Sequence, residues 1–253
     1  MNYFSKTKKP LIKKLFSLIT LSTLICLPSL AEQRFTPTKF LVKFYSMGLS
    51  NADRTQIFEV LDSSEGVEVD LSKQGAISKL ATGVKPEPGT YTHIYGVVAN
   101  TNTVAGSVGT CYMKAGSFNK ISAGGATGWA AHTTNQSESG DAVLTEQDFS
   151  PGNGSFGPVT PNTSISVQGS KVSSMQLYLT NSSDPYTTSN DAGLTRDRSL
   201  YFGELPSPIT INDASQGQII ITFDSTNGAA FDDNCSVGMD LDNNKFTFSI
   251  IQD

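Results

Sequence analysis

The stretch that decides the fold is residues 90–99, Thr90-Tyr-Thr-His-Ile-Tyr-Gly-Val-Val-Ala99, which follows the turn signal Pro88-Gly89. It is rich in aromatic and β-branched residues, which fit the pleated surface of a sheet. Successive side chains of a strand point to opposite faces. The pattern therefore predicts one long β-strand with one face formed by Tyr91, His93, Tyr95 and Val97.

Similar strand patterns, separated by turn residues, recur along the chain at the spacing of sandwiches and barrels. They cover residues 40–45, 67–71, 108–113, 128–132, 164–168, 174–179, 209–211, 218–224 and 245–251. The best helix candidate is residues 51–60, with Ser50 as its cap, although residues 56–61 fit a short strand equally well. We predict an all-β fold, an antiparallel β-sandwich of the immunoglobulin or transthyretin kind.

The first 31 residues have the three parts of a secretory leader. Five lysines precede an apolar run at residues 15–27, and Ser29-Leu30-Ala31 forms a small-x-small cleavage site. The run is shorter than the roughly 20 residues that span a bilayer. Ile25 before Cys26 is too bulky for lipoprotein cleavage, so no lipobox is present. We expect cleavage after Ala31, no transmembrane segment in the mature chain, and a secreted or periplasmic location in the cell envelope.

Loss of the leader leaves two cysteines, Cys111 and Cys235, and in an oxidising compartment these predict one disulfide. Loss of its five lysines changes the formal net charge from −5 to −10. An acidic surface repels phosphate backbones, which argues against nucleic-acid binding.

The mature residues 32–253 suit a single β-sandwich domain, since all-β domains routinely reach this length. Residues 116–161 are rich in Gly, Ser, Thr and Asn and have few apolar side chains. We interpret this region as an insertion of long loops and a weak hairpin between two halves of the sandwich. Trp129 and Phe149 within it favour burial, which argues against an interdomain linker.

Two segments resemble a bacterial envelope domain of unknown function that is common in lipoproteins. The first is Val67-Glu-Val-Asp-Leu71 with a short amphipathic spacer that ends at Leu80, and the second is Pro88-Gly-Thr-Tyr-Thr-His-Ile-Tyr-Gly-Val-Val98. The resemblance implies a transthyretin-like, or carboxypeptidase-regulatory-like, sandwich. It implies no catalytic residue, because none is assigned in that family.

The end of the chain is similar to the same domain. A short strand at residues 209–211 is followed by Gly217, a strand that ends in Phe223-Asp224, and a final apolar strand at residues 246–251. The chain departs from that family in its missing lipobox and its long middle insertion.

Catalytic and nucleotide-binding patterns are weak. Residues 152–157, GNGSFG, spell a dinucleotide-loop motif, but prolines flank it and no helix follows, so we predict a flexible loop. Only His93 and His132 could serve as a base near neutral pH, and no GxSxG nucleophile elbow occurs. We therefore expect no enzyme activity and no cofactor, with the alternative of a hydrolase whose site is not recognisable.

An acidic segment, residues 224–244, is the one region with potential metal ligands. Calcium takes six to eight oxygen ligands, and short loops of Asp and Asn supply them. One interpretation is a structural calcium site, and the other is a set of turn-forming residues at two hairpin tips. The candidate ligands are Asp224, Asp232, Asp233, Asp240 and Asp242.

Two functional classes remain open. The first is a non-catalytic module that binds a protein or glycan at the cell surface. The second is a structural subunit of a surface fibre, in which a terminal strand completes the sheet of a neighbour. The strands at residues 40–44 and 246–250 suit that exchange, although a single chain could use both itself. Size-exclusion chromatography separates the classes, since a stable monomer disfavours fibre assembly.

Overall fold

The structure is a computed structural model. It describes residues 32–73, 77–81, 84–85, 87–121, 131–147, 155–159, 164–172, 175–183, 197–212, 218–231, 235, 239–240 and 244–251. The predicted leader, residues 1–31, lies outside the described residues, as do Trp129 and Phe149. In the part of the chain that is described, no helix has the length and apolarity needed to cross a membrane.

Strands make up nearly all of the regular structure in the described ranges, and the only helical elements there are two short 3₁₀ turns, Ile77–Ala81 and Gln136–Glu138. The strands are β1 (Gln33–Phe35), β2 (Lys39–Ser50), β3 (Ile57–Asp70), β4 (Gly89–Ala105), β5 (Ser107–Val108), β6 (Cys111–Met113), β7 (Gly116–Ile121), β8 (His132–Thr133), β9 (Ala142–Gln147), β10 (Ser155–Val159), β11 (Ser164–Val167), β12 (Ser170–Lys171), β13 (Met175–Thr180), β14 (Arg198–Ile211), β15 (Gln218–Asp224), β16 (Ala229–Phe231), β17 (Met239–Asp240) and β18 (Lys245–Ile251).

A central sheet contains β10, β13, β14, β4, β2 and β3 in that order. All neighbours along this path are antiparallel. β4 is the strand predicted from residues 90–99, and it continues to Ala105. β2 pairs with it along one side, so the two strands form the middle of the sheet.

The other side of β4 has two partners in succession. β14 pairs with it as far as Ala99, and β9 pairs with residues 101–104. β7 then pairs with β9 in parallel. Backbone groups that leave water need hydrogen-bond partners, and β9 supplies them where β14 ends.

The region 116–161 therefore differs from its prediction as inserted loops. In its described parts, β7, β9 and β10 are strands of the central sheet. The predicted loop at residues 152–157 is also wrong at its end, because Ser155 begins β10. These segments have too few apolar residues to show a strand pattern by themselves.

Three smaller sheets complete the fold. A four-stranded sheet has the order β12-β11-β18-β15, and two three-stranded sheets have the orders β1-β16-β17 and β5-β6-β8. β18 lies between β15, which is antiparallel to it, and β11, which is parallel.

The central and four-stranded sheets pack against each other around the main core. Phe44, Leu49 and Ile94 of the central sheet join Ile221 and Phe248 of the four-stranded sheet in one buried cluster. Between the sheets, the rings of Phe40 and Phe223 meet edge to face, with their centroids 5.9 Å apart. The prediction of an all-β chain with packed antiparallel sheets is confirmed.

Two local predictions need correction. The helix at residues 51–60 is wrong: the N–H of Asn51 donates to the carbonyl of Gln56, and the side-chain oxygen of Asn51 accepts from the N–H of Gln56. These bonds close the turn between β2 and β3. The alternation also predicts that Tyr91 shares a face with Tyr95, and this is wrong. Tyr91 belongs to the main core, beside Phe58, whereas Tyr95 belongs to a second cluster. Tyr91 lies next to a register shift in the pairing of β4 with β14.

The Asp70 side chain links the end of β3 to the start of β2 by a hydrogen bond. Its Oδ1 accepts hydrogen bonds from the N–H of Phe40 (3.1 Å) and from the hydroxyl of Ser72 (2.6 Å). Its Oδ2 lies 3.2 Å from Lys73 Nζ. Burial acts to raise the pKa of Asp70, but the bonds from Ser72, Phe40 and Lys73 outweigh it and lower the pKa to about 2.

This depressed pKa predicts a specific loss of stability in acid. Because the folded-state pKa lies below the unfolded value, the contribution of Asp70 is complete above about pH 5 and is lost as the pH falls through about 2. It amounts to about 2 kcal/mol at neutral pH. In urea unfolding, Asp70→Asn should be less stable than the wild type by about that amount at pH 7 and by about a third of it at pH 2.5.

Asp62→Asn is the matched control, because it removes one exposed carboxylate from the same strand. Its stability should follow that of the wild type at both pH values. A difference between wild type and Asp70→Asn that is the same at pH 7 and pH 2.5 would contradict the assignment.

Candidate functional site

A second apolar cluster lies on the face of the central sheet opposite the main core. Tyr95, Val97 and Leu200 are buried there, whereas Ile94 on the same strand as Tyr95 points into the main core. Four half-buried residues, Tyr45, Ile57, Tyr178 and Phe202, pack around them. We call the set Tyr45, Tyr95, Val97, Tyr178, Leu200 and Phe202 the outer aromatic face.

The register of three strands builds this face. Tyr95 lies opposite Phe202, and Val97 lies opposite Leu200. Leu200 in turn lies opposite Tyr178 on the next strand. Directly opposed side chains are the closest neighbours in an antiparallel sheet, so the rows of β4, β14 and β13 meet as one surface.

Arg198 is the buried cation of the outer aromatic face. Its side chain is only 7% exposed, and its guanidinium carbon lies 3.5 Å from the centre of the Tyr45 ring. One Nη donates to the carbonyl of Ser64 at 3.2 Å, while Nε has no hydrogen-bond partner among the described residues. A buried charged group is normally paired with a group of opposite charge. The described contacts of the Arg198 guanidinium are instead an aromatic ring and a backbone carbonyl.

Two further nitrogen-containing side chains lie against the Phe202 ring. The His93 ring stacks on it with centroids 4.5 Å apart, and the Arg54 guanidinium carbon lies 5.8 Å from its centre. Burial lowers the pKa of His93, and the nearby Glu204 carboxylate acts in the opposite direction. The outer aromatic face thus combines aromatic rings with cations at both of its ends.

The residue types of a hydrolytic triad share one row of the same sheet. Ser50 and Glu204 lie opposite His93 on its two neighbouring strands. The hydrogen bonds of a triad are missing from the described contacts, since His93 Nδ1 bonds the hydroxyl of Thr92 at 2.8 Å. Ser50 is fully buried and its hydroxyl has no partner among the described residues. A nucleophile needs contact with its base and with substrate, so this row does not support acyl transfer.

The second histidine, His132, lies on β8 in a different sheet. A groove of about 280 Å³ lies between the β11–β12 turn and the irregular part of β14. Its lining includes Gln168, whose side chain already bonds both the N–H and the carbonyl of Ile250. Among the lining residues there is no titratable side chain, so the groove offers no acid or base.

The predicted calcium ligands are only partly described. Asp224 is exposed, and its carboxylate accepts from the N–H of Thr226 at 2.9 Å. The hydrogen bond from the Thr226 side chain, followed by this backbone bond, lowers the pKa of Asp224. Asp240 lies on β17 opposite Ala230. The other candidates, Asp232, Asp233 and Asp242, are outside the described residues. Asp224 therefore acts as a turn residue, and the calcium site stays a prediction.

The structure joins Cys111 on β6 to Cys235, as the cysteine count predicts. Their Cα atoms lie 5.7 Å apart, within the range that a disulfide requires. Both side chains are buried in the main core cluster. The pairing is therefore structural, and neither cysteine is placed as a reactive thiol.

No known protein family, curated protein or solved structure matches this chain.

Only part of the outer aromatic face can be predicted from the sequence. The alternation in residues 90–99 placed His93, Tyr95 and Val97 on one side, and the structure agrees for these three. The contributions of Arg198, Leu200 and Phe202 were missed. A strand signal was present in Ser199-Leu-Tyr-Phe202, but Pro206 and Pro208 further along β14 obscured it.

Proposed function

We propose that this chain is an exported, non-catalytic β-sandwich module that binds a protein or glycan at the cell surface through its outer aromatic face. The compartment is part of the proposal and is supported by the leader-like residues 1–31. The proposal also includes the transthyretin-like form of the sandwich, which is supported by the similarity to a bacterial envelope domain.

The observation that carries the proposal is the pairing of aromatic rings with arginines on the face of the central sheet opposite the main core. Tyr and Arg are enriched among the residues that dominate binding energies at interfaces. Here Arg198 stacks on Tyr45 and Arg54 approaches Phe202, while Tyr178 is half-buried beside them. The half-buried rings of Tyr45, Tyr178 and Phe202 are the parts of this face that a partner can contact.

The strand pairing supports a self-contained module over a fibre subunit. The two strands suited to exchange are β2 and β18, and each has a partner on both sides within its own chain. The edge strand β3 carries Asp62, Glu65 and Glu68 among its exposed residues. Charges on an edge strand discourage pairing with another chain.

A binding comparison of two tyrosine variants tests the proposal. The mature protein is screened against arrays of bacterial surface polysaccharides and of extracellular host proteins, and the retained ligand is then titrated by calorimetry. Tyr178→Ala should raise the Kd at least fivefold, because tyrosine is enriched among the interface residues whose truncation costs more than about 1 kcal/mol.

Tyr112→Ala is the control, since Tyr112 is a half-buried tyrosine on β6, in another sheet. Its Kd should remain within twofold of the wild type. The proposal fails if Tyr178→Ala binds as tightly as the control, or if neither array retains the wild-type protein at micromolar concentration.

A further inference from the structure

Arg198 is a buried cation that has no acidic partner among the described residues. Its side chain is 7% exposed, and none of the described ion pairs includes it. The contacts of its guanidinium are the Tyr45 ring and the Ser64 carbonyl, and Nε lacks a hydrogen-bond acceptor. A buried charge without an opposite charge destabilises the fold. An anion from outside the chain would supply the missing charge.

Lys43 brings a second cation to the same ring. It is half-buried, and its Nζ lies 5.4 Å from the centre of the Tyr45 ring. Both side chains pack over Gly66, where a Cβ would come within 2.7 Å of Lys43 Cε and 2.9 Å of Tyr45 Cε1. Glycine therefore leaves the space that the two side chains occupy. Tyr45 thus holds Arg198 and Lys43 in one cluster of positive charge.

One donor of the Arg198 guanidinium remains accessible to a ligand. Nη2 is bonded to a carbonyl and Nε is enclosed, whereas Nη1 has no hydrogen bond to a described residue and is not enclosed. Two carboxylates lie on the neighbouring strand β3: Glu68 is opposite Lys43, and Glu59 accepts from the Tyr95 hydroxyl at 3.3 Å. Their negative charge disfavours a doubly charged phosphate, so the cluster suits a singly charged carboxylate.

We propose that Arg198, Lys43 and Tyr45 form a binding site for the carboxylate of an acidic glycan, a polysaccharide of uronic acids. This inference rests on the proposed binding role of the outer aromatic face and names the class of its ligand. Tyr178 lies opposite Leu200, and Arg198 precedes Leu200 by two residues, so Tyr178 and Arg198 are neighbours on one face. A uronic acid carries its carboxylate directly on the sugar ring. A sugar ring packed on Tyr178 therefore brings its carboxylate to Arg198, whereas an acidic peptide side chain has no ring to cover Tyr178.

The first test is titration calorimetry of the mature protein with oligosaccharides of galacturonic, mannuronic and guluronic acid, and with their methyl esters. The ester keeps the sugar ring and removes the charge. At least one acid should bind with a Kd about tenfold or more below that of its ester, because a hydrogen bond to a charged group is stronger than a neutral one. If no acid binds better than its ester, or if acidic peptides bind and the uronates do not, this inference is wrong. A neutral glycan or a protein retained by the arrays would then still support the proposed function, whereas failure of every ligand would overturn both.

Variants then locate the carboxylate. Arg198→Met should raise the Kd of the acid about tenfold or more and keep the fold, because an apolar chain of similar length replaces a buried unpaired charge. Lys43→Gln, at a less buried position, should raise it about threefold. Lys171→Gln is the control, since it removes the same charge from an exposed position on β12, in another sheet, and its Kd should stay within about twofold. An unchanged Kd in both Arg198→Met and Lys43→Gln, or an equal rise in Lys171→Gln, overturns the assignment. If Arg198→Met does not fold, Lys43→Gln against Lys171→Gln decides.

Discussion

Replacing Cys111 and Cys235 with alanine is expected to lower the free energy of unfolding by about 4–5 kcal/mol. The two cysteines are separated by 124 residues, so the bond closes a very long loop. In the chain-entropy account, the crosslink removes conformations of the unfolded chain, and the effect grows with the logarithm of loop length. The bond also fixes the short β5-β6-β8 sheet, which contains Cys111, to the segment beyond β16.

Urea unfolding of the mature wild type and of the Cys111→Ala/Cys235→Ala variant, each with and without reductant, measures this effect. Reductant should bring the wild type down to the stability of the variant and should leave the variant unchanged. Equal stability of the oxidised wild type and the variant would contradict a structural role for the bond. Non-reducing peptide mapping confirms the pairing independently.

Gly48→Ala is expected to lower the free energy of unfolding by about 3 kcal/mol. A Cβ at this position would lie 3.0 Å from the carbonyl carbon of Phe58 and 3.1 Å from Cα of Glu59, with the Phe58 oxygen closer still. Those atoms belong to the backbone of β3, which cannot move aside as the tip of a side chain can. The close approach occurs next to the register shift between β2 and β3.

Gly96 provides the matched control on the neighbouring strand. It lies opposite Met47 on β2, and a Cβ there would meet nothing within 4 Å. Gly96→Ala should therefore be neutral or stabilise the fold by a few tenths of a kcal/mol, because alanine restricts the unfolded chain. Chemical unfolding of both variants measures this difference in the free energy of unfolding. A similar decrease in both variants would contradict the prediction and show that the Gly48 contact is relieved at little cost.

These two glycines illustrate what sequence can and cannot reveal. Both glycines lie in strand segments rich in apolar residues, and their neighbouring residues do not indicate which of the two tolerates a side chain. Their difference arises from how near β3 comes to β2, which depends on a register shift between strands. The same limit applies to Tyr91: simple alternation predicts that it shares a face with Tyr95, but the structure places it in the main core, next to the register shift between β4 and β14.

The candidate sites divide in a similar way. The disulfide partners followed from a count of cysteines, and the acidic segment from its composition. By contrast, the row of Ser50, His93 and Glu204 and the stacking of Arg198 on Tyr45 join residues far apart in the chain.

The sequence by itself determined the all-β class and most of the strands, because alternation of side chains is a local property of extended backbone. The tertiary structure alone decided that β7, β9 and β10 extend the central sheet, and that β14 carries Leu200 and Phe202 to the outer aromatic face. The reason is that strand pairing satisfies backbone groups between distant segments. Which segment supplies those partners depends on the packing of the whole chain and not on its own residues.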